Sequence, residues 1–244
     1  MNSELRFTID GSAITARPGQ SVLEAAEDAG HWIPRLCHVP GVSVHGACRV
    51  CTCVIDGRPQ SACTFPATEG IEVENDSDFV NAMRRRVIEM LLVEGNHYCM
   101  FCEASGECEL QALAYRFGVT HPRYASQWNE RDVDATHPDL WIDRNRCVQC
   151  GRCVRVSHEI DGKRTYQFTE RGARQRVAVN SAEGLGGTDA SVDDAATDAC
   201  PVGALLRKHE GYDTPIGRRR FDRLPIGREV ERLRADVGGE EDRS

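Results

Sequence analysis

Twelve cysteines constrain this chain of 244 residues more than any other feature, because eleven of them fall into three short-spaced sets. The first set is Cys37, Cys48, Cys51 and Cys63, spaced C-x10-C-x2-C-x11-C. The second packs Cys99, Cys102 and Cys108 behind His97, all within twelve positions. The third is Cys147-x2-Cys150-x2-Cys153, followed after 46 residues by Cys200-Pro201. Thiolates at such spacing can converge on one metal centre without first closing a long loop. A disulfide framework would use dispersed pairs in an oxidising compartment. The N-terminus, MNSELRFTIDG, has neither the basic start nor the apolar core of a secretory signal, and it carries no twin-arginine motif. A cytoplasmic location and metal binding are therefore the expectation.

A hydrophobic fraction of 40% and an aromatic fraction of 6% fit several small modules better than one large core. Small modules need staples such as metal clusters. The formal charge of −8 argues against general nucleic-acid binding, which needs a basic face. No apolar run reaches membrane-spanning length, so no membrane helix is expected.

In chain order, Leu5 to Ile9 alternates apolar and polar residues, Asp10-Gly11 signals a type I′ turn, and Ala13 to Ala16 returns as the second strand of a hairpin. Ser21-Val22-Leu23-Glu24 fits a capping box for a helix that Gly30 ends. This strand–strand–helix order is how a β-grasp ferredoxin begins, and Cys53–Asp56 and Ile71–Val73 read as further strands of the same sheet. From Asp76 a helix is expected with Val80, Met83, Val87, Met90 and Leu91 on one face, and with Arg84, Arg85 and Arg86 on a solvated face. Residues 109–117 form another helix, ended by Gly118. Residues 119–140 read as an irregular connection in which His121 and His137 are loop residues. Thr165–Phe168 and Arg176–Val179 read as strands, and Val192–Ala199 as a short helix delivering Cys200.

C-x2-C-x2-C followed by C-P is the bacterial [4Fe–4S] signature. With one triplet and one distant C-P, Cys200 closes the same cluster as Cys147, Cys150 and Cys153. The first set suits a [2Fe–2S] centre, although its spacing is not that of the plant ferredoxins. The middle set has only three thiolates, and the count makes His97 the fourth ligand. Eleven cysteines and one histidine then serve three clusters, leaving Cys53 as a strand residue. Zinc is the rival occupant and would make the chain a structural scaffold. The crowded triplet and the distant Cys-Pro suit a cubane better than one tetrahedral ion. The chain has no G-x-G-x-x-G after a strand and no paired C-x-x-C motifs of a nickel–iron centre, so its chemistry is one-electron relay without a substrate-converting site.

These residues carry a family resemblance. Cys37-x10-Cys48-x2-Cys51, the Cys99/Cys102/Cys108 set and GECELQALAYRFG resemble the N-terminal part of the large iron–sulfur subunit of respiratory complex I, and iron-only hydrogenases. EGNHYCMFCEASGECELQALAYRFG, RCVQCGRCVRVSHEIDGK, VAVNSAEGLGG and CPVGALLRKHEGYDTPIGRRRFDRLPIG are more similar still to the small (gamma) diaphorase subunits of cytoplasmic NAD-reducing [NiFe] hydrogenases. The resemblance implies an α+β chain: a β-grasp [2Fe–2S] domain over 1–78, a helical [4Fe–4S] segment with three Cys ligands and one His over 79–118, a connection over 119–139, a ferredoxin-like [4Fe–4S] domain over 140–206, and an extended arm and disordered tail over 207–244. It implies as partners a large diaphorase subunit with FMN and the NAD site, and the large and small subunits of a [NiFe] hydrogenase. An equivalent subunit of a NAD-dependent formate dehydrogenase is the alternative. In complex I the histidine stands four positions before its first cysteine, where this chain has Gly95; here it stands two before, at His97. The arm carries a net +4 over 207–234 against −12 for the rest, which suits docking on a partner.

Overall fold

The computed structural model describes residues 4–241. Strands β1 (Leu5–Ile9) and β2 (Ser12–Ala16) pair antiparallel, with Ile9 opposite Ser12. Asp10 and Gly11 both have positive φ, +48° and +77°, as the type I′ turn between them demands. Helix α1 (Val22–Asp28) opens on the expected capping box: Glu24 N–H donates to the Ser21 hydroxyl, and Ser21 N–H to the Glu24 carboxylate. Strands β3 (Thr52–Ile55), β4 (Arg58–Ser61) and β5 (Glu72–Glu74) complete a five-stranded sheet in the order β2-β1-β5-β3-β4. β1 and β5 run parallel at its centre, the β-grasp arrangement. The inward side chains of this sheet, Phe7, Ile9, Ile14, Ile55 and Val73, close on Val22, Leu23 and Ala26 of α1.

Helix α2 (Asp78–Glu94) lies where it was expected, but the buried face is different. Val80, Arg84, Ile88, Glu89 and Val93 face inward, while Met90 is 49% exposed. Of the three arginines expected in solvent, Arg84 is buried at 3% exposure, because only a long fork of donors can satisfy the carbonyls beneath it. Nη1 donates to Asn75 O at 2.7 Å, Nη2 to Asn75 Oδ1 at 2.7 Å, and Nε to Thr52 O at 3.1 Å.

Helix α3 (Glu109–Arg116) follows the middle cysteine set. Strands β6 (Val133–Asp134) and β7 (Leu140–Asp143) lead into the third set. Helix α4 (Arg152–Glu159), which periodicity did not single out, carries Cys153. Strands β8 (Tyr166–Thr169) and β9 (Arg176–Val179) form the expected hairpin, and α5 (Ala195–Asp198) is a shorter version of the expected helix before Cys200. Strand β10 (Leu205–Arg207) pairs with β7 in a three-stranded sheet ordered β10-β7-β6. His137 sits in the connection as a turn brace: its Nδ1 accepts from the Asp139 and Leu140 N–H groups.

The arm is irregular from Lys208, apart from α6 (Arg220–Arg223), and ends in α7 (Arg228–Glu241). Pro215, Gly217, Pro225 and Gly227 keep the arm from a long helix before Arg228. Residues 238–241, expected to be disordered, continue α7; residues 242–244 lie outside the described residues. The arm is seated on the chain's own modules. Phe221 N–H donates to Gly106 O at 3.0 Å, Glu231 pairs with Arg116, and Arg234 Nη2 donates to Ser12 Oγ at 2.9 Å.

Candidate metal centres

The first set lies on the loops around β3. Cys37, Cys51 and Cys63 are at most 2% exposed and Cys48 is 8%. The Cys37 thiol adjoins those of Cys48 and Cys63, and the Cys51 thiol adjoins that of Cys63. Those contacts hold the Cys37 thiol well below its ordinary pKa and push Cys48 and Cys63 well above theirs, since neighbouring buried thiols cannot all ionise together. A cationic centre that takes all four as thiolates removes that conflict. Cys37 N–H also points at Cys48 Sγ, at 3.4 Å.

Cys53, on β3, is fully buried but faces away from this set's bonding. Its Sγ accepts from Arg84 Nη2 at 3.3 Å, and burial pushes its thiol up to about 12.

The middle set sits in the turn-rich passage between α2 and α3. Cys108 is the N-cap of α3, with Gln111 N–H 3.5 Å from its Sγ. Burial raises the thiols of Cys99 and Cys102 and pushes Cys108 up to about 12, and Cys102 and Cys99 add to the rise at Cys108. His97 is held down to about 4 by burial, so its imidazole is neutral, while a hydrogen bond with the backbone of Leu91 opposes that shift. Its Nε2 is shielded from solvent and has no hydrogen-bond partner. A neutral imidazole with one nitrogen anchored on backbone and the other orphaned is the state a metal ligand requires.

Nε2 of His97 lies 2.5 Å, and Cδ2 2.9 Å, from where a Cβ on Gly95 would stand. Gly95 has φ −99°, open to any residue, so its lack of a side chain answers to space and not to conformation. The ring of residue 97 folds back into the volume that a side chain at residue 95 would fill. That accounts for a histidine two positions before the first cysteine where complex I has one four positions before.

In the third set, burial pushes Cys147 up to about 11 and Cys150 up to about 12, and Cys153 further, with the neighbouring thiols adding to each. Gln149 N–H stands 3.4 Å from Cys147 Sγ, and the Cys200 thiol donates to Val202 O at 3.1 Å. Gly203, three residues after Cys200, makes room at the middle set: a Cβ there would collide with Cys102 Sγ. Arg146 bridges the same junction. Its Nη1 donates to Glu103 Oε2 at 2.7 Å and reaches Gly203 O at 3.4 Å and Cys102 Sγ at 3.7 Å. Arg152 and Glu109 close it with a bidentate pair at 2.8 and 2.6 Å.

The donor sets fit iron–sulfur clusters: buried and half-buried thiols gathered in sets, N–H groups directed at sulfur, and an orphaned imidazole nitrogen beside the set that lacks a fourth thiol. Among the described residues, no three His, Cys, Asp or Glu side chains surround a single ion position.

Known families match along the chain in the same order. Residues 2–78 match a 2Fe-2S iron-sulfur cluster binding domain. Residues 84–123 match the NADH-ubiquinone oxidoreductase-G iron-sulfur binding region. Residues 138–206 match the ferredoxin-like domain of NADH-quinone oxidoreductase subunit 3. The NAD-reducing hydrogenase HoxS subunit gamma of Cupriavidus necator is 35% identical over 220 residues, covering 89% of this chain and 93% of that protein. The chain belongs to the NAD-reducing hydrogenase gamma-subunit family.

Other relatives of the gamma-subunit family are larger. The NADPH-Fe(3+) oxidoreductase subunit alpha of Geobacter sulfurreducens is 35% identical over 83% of this chain but only 24% of its own length. The mitochondrial NADH-ubiquinone oxidoreductase 78 kDa subunit of Neurospora crassa is 31% identical over 84% of this chain and 28% of its own. Among solved structures, a chain of a NAD+-reducing [NiFe]-hydrogenase in the H2-reduced state superimposes with a TM-score of 0.89 at 45% identity, covering 93% of this chain and 99% of that one. The α+β, ferredoxin-containing architecture of the gamma-subunit family is thus present along nearly the whole chain.

Proposed function

We propose that this chain is the electron-transfer subunit of a cytoplasmic NAD-reducing hydrogenase, standing between a [NiFe] hydrogenase module and a diaphorase subunit that holds FMN and binds NAD. The observation that carries this reading is the near end-to-end match to a gamma subunit, 89% of one chain on 93% of the other.

Cys37, Cys48, Cys51 and Cys63 would hold a [2Fe–2S] cluster. His97, Cys99, Cys102 and Cys108 would hold one [4Fe–4S] cluster, and Cys147, Cys150, Cys153 and Cys200 a second. Once bound, such clusters take up and release single electrons at potentials set by ligand, charge and burial. The chain's own residues do the rest. The buried thiols of the first set exclude water, backbone N–H groups at Cys37, Gln111 and Gln149 direct partial positive charge at sulfur, and neutral His97 leaves the middle set one negative charge short of the others. Catalysis at hydrogen and at NAD is left to the partners.

Tyr98, Met100 and Phe101 surround the middle set at 58%, 79% and 67% exposure, and Tyr115 beside them is 73% exposed. This apolar surface suits a partner subunit. No helix among the described residues is long and apolar enough to cross a membrane.

Purification from the native host tests the reading. The expected result is co-purification with a nickel-containing hydrogenase pair and a flavin subunit, with iron and acid-labile sulfide in near-equal amounts. Zinc in place of iron, or a molybdenum or tungsten partner, would overturn it.

A further inference from the structure

Arg155, on α4, is 9% exposed and spends its donors on four backbone carbonyls from two different modules. Nη2 donates to the carbonyl of Cys37 at 2.5 Å and reaches the carbonyl of Cys150 at 3.4 Å. Nη1 donates to Ser43 O, and Nε to Gly151 O at 3.2 Å. One nitrogen thus lies between a ligand cysteine of the first set and a ligand cysteine of the third.

The contrast with Arg146 sharpens the point. Arg146 joins the third set to the middle one, but Glu103 at 2.7 Å and Asp143 at 2.9 Å neutralise it. Among the described residues no carboxylate lies within ion-pair distance of Arg155; Glu159, one turn on, feels its charge but gives its oxygens to the Ser43 N–H and hydroxyl. A buried cation held only by carbonyls is costly unless negative charge stands nearby. Two cysteine-ligated sites, one on each side, supply it.

We propose that Arg155 is the positioning residue that couples the first and third cluster sites, fixing their spacing through the Cys37 and Cys150 carbonyls and placing between them a buried positive charge that no carboxylate contacts directly. This rests on the reading of both sets as cluster ligands. Positive charge favours the reduced, more negative state of each site, so Arg155 holds both potentials up, and it does so little at the middle site.

The test uses the purified complex, with iron content and potentiometric electron paramagnetic resonance of each cluster. Arg155→Gln, neutral but still hydrogen-bonding, should keep the iron and lower the midpoint potentials of the first and third clusters together, leaving the middle one in place. Arg155→Lys, which keeps the charge but cannot hold all four carbonyls, should leave the potentials near wild type and alter the magnetic interaction between the two reduced centres. Wild-type potentials in the Gln variant, or a shift at only one of the two clusters, would overturn the coupling of potentials. Should Gln lose its iron, an unchanged interaction spectrum in Arg155→Lys would overturn the proposal. Wild-type protein lacking the two cluster signals would defeat the underlying reading instead.

Discussion

Nε2 of His97 occupies the space that the side chain of residue 95 would need, 2.5 Å from the missing Cβ of Gly95. The two positions are therefore one steric unit, in which the ligand can be hung from residue 97 only while residue 95 is bare. Gly95→Ala, harmless to a backbone at φ −99°, should displace the imidazole and disturb the middle cluster, with loss of up to roughly four irons per chain. His97→Ala should do the same. The other two spectra should persist in both variants; a wild-type middle spectrum in both would refute the assignment.

Cys53 and Arg84 form a structural pair beneath the first set. Cys53→Ala should retain all iron, whereas Cys51→Ser should lose or alter the [2Fe–2S] signal. Arg84→Met strands the Asn75 and Thr52 carbonyls and should cost about 2–4 kcal/mol of stability. Arg84→Lys should recover little, because an ammonium lacks the fork that reaches these acceptors. Thermal unfolding followed by cluster absorbance reads the difference.

Glu109 carries the bidentate contact with Arg152 between α3 and α4. Glu109→Gln leaves a buried guanidinium, 8% exposed in its side chain, without its carboxylate. A loss of about 3 kcal/mol is expected on this account, read as a lower unfolding midpoint with an earlier bleaching of both [4Fe–4S] clusters.

The arm is clasped by Asp222, which accepts from Gly217 N–H at 2.6 Å and from Arg219 at 2.8 and 2.9 Å. Arg219 in turn donates to Ser105 O at 3.0 Å. Its hydrogen bonds with Arg219 hold the Asp222 carboxyl down to about 2. With the folded pKa below the unfolded one, the clasp is at full strength above about pH 4 and fades as pH falls towards 2. Pepsin cleavage within 207–227 should accordingly rise between pH 4 and 2, and Asp222→Asn should be cleaved readily at pH 4. Gly106→Ala should release the arm too, because Arg219 fills the space its Cβ would take at φ +84°.

Met100→Asp with Phe101→Asp should keep the iron of the middle set while weakening retention of a partner subunit. Burying such a charge in an apolar contact costs on the order of 2 kcal/mol or more, about a thirtyfold change in affinity. Undiminished co-purification would place the partner elsewhere.

Much of the site was legible in sequence because its determinants are local. The type I′ turn at Asp10-Gly11, the Ser21 capping box and the C-x2-C units each lie within a few residues. Arg84 was read as solvated surface and Arg155 escaped notice, for the opposite reason. Their roles depend on carbonyls up to 118 positions away, and a charged residue on a helix otherwise reads as solvated surface. The face of α2 was misread by the same rule, since Arg84 takes a core position that an apolar residue would ordinarily signal. The arm's place on its own chain was hidden too, being written in single contacts such as Phe221 with Gly106.

The bond from Arg234 to Ser12 spans 222 positions. During synthesis at ~5–20 residues per second, the first hairpin waits roughly 10–40 s for the residue that covers it. For that interval the surface around Gly30 and Trp32, later roofed by Arg234 and Gly227, stays bare. The first module of the chain to be made is thus the last to have its surface completed.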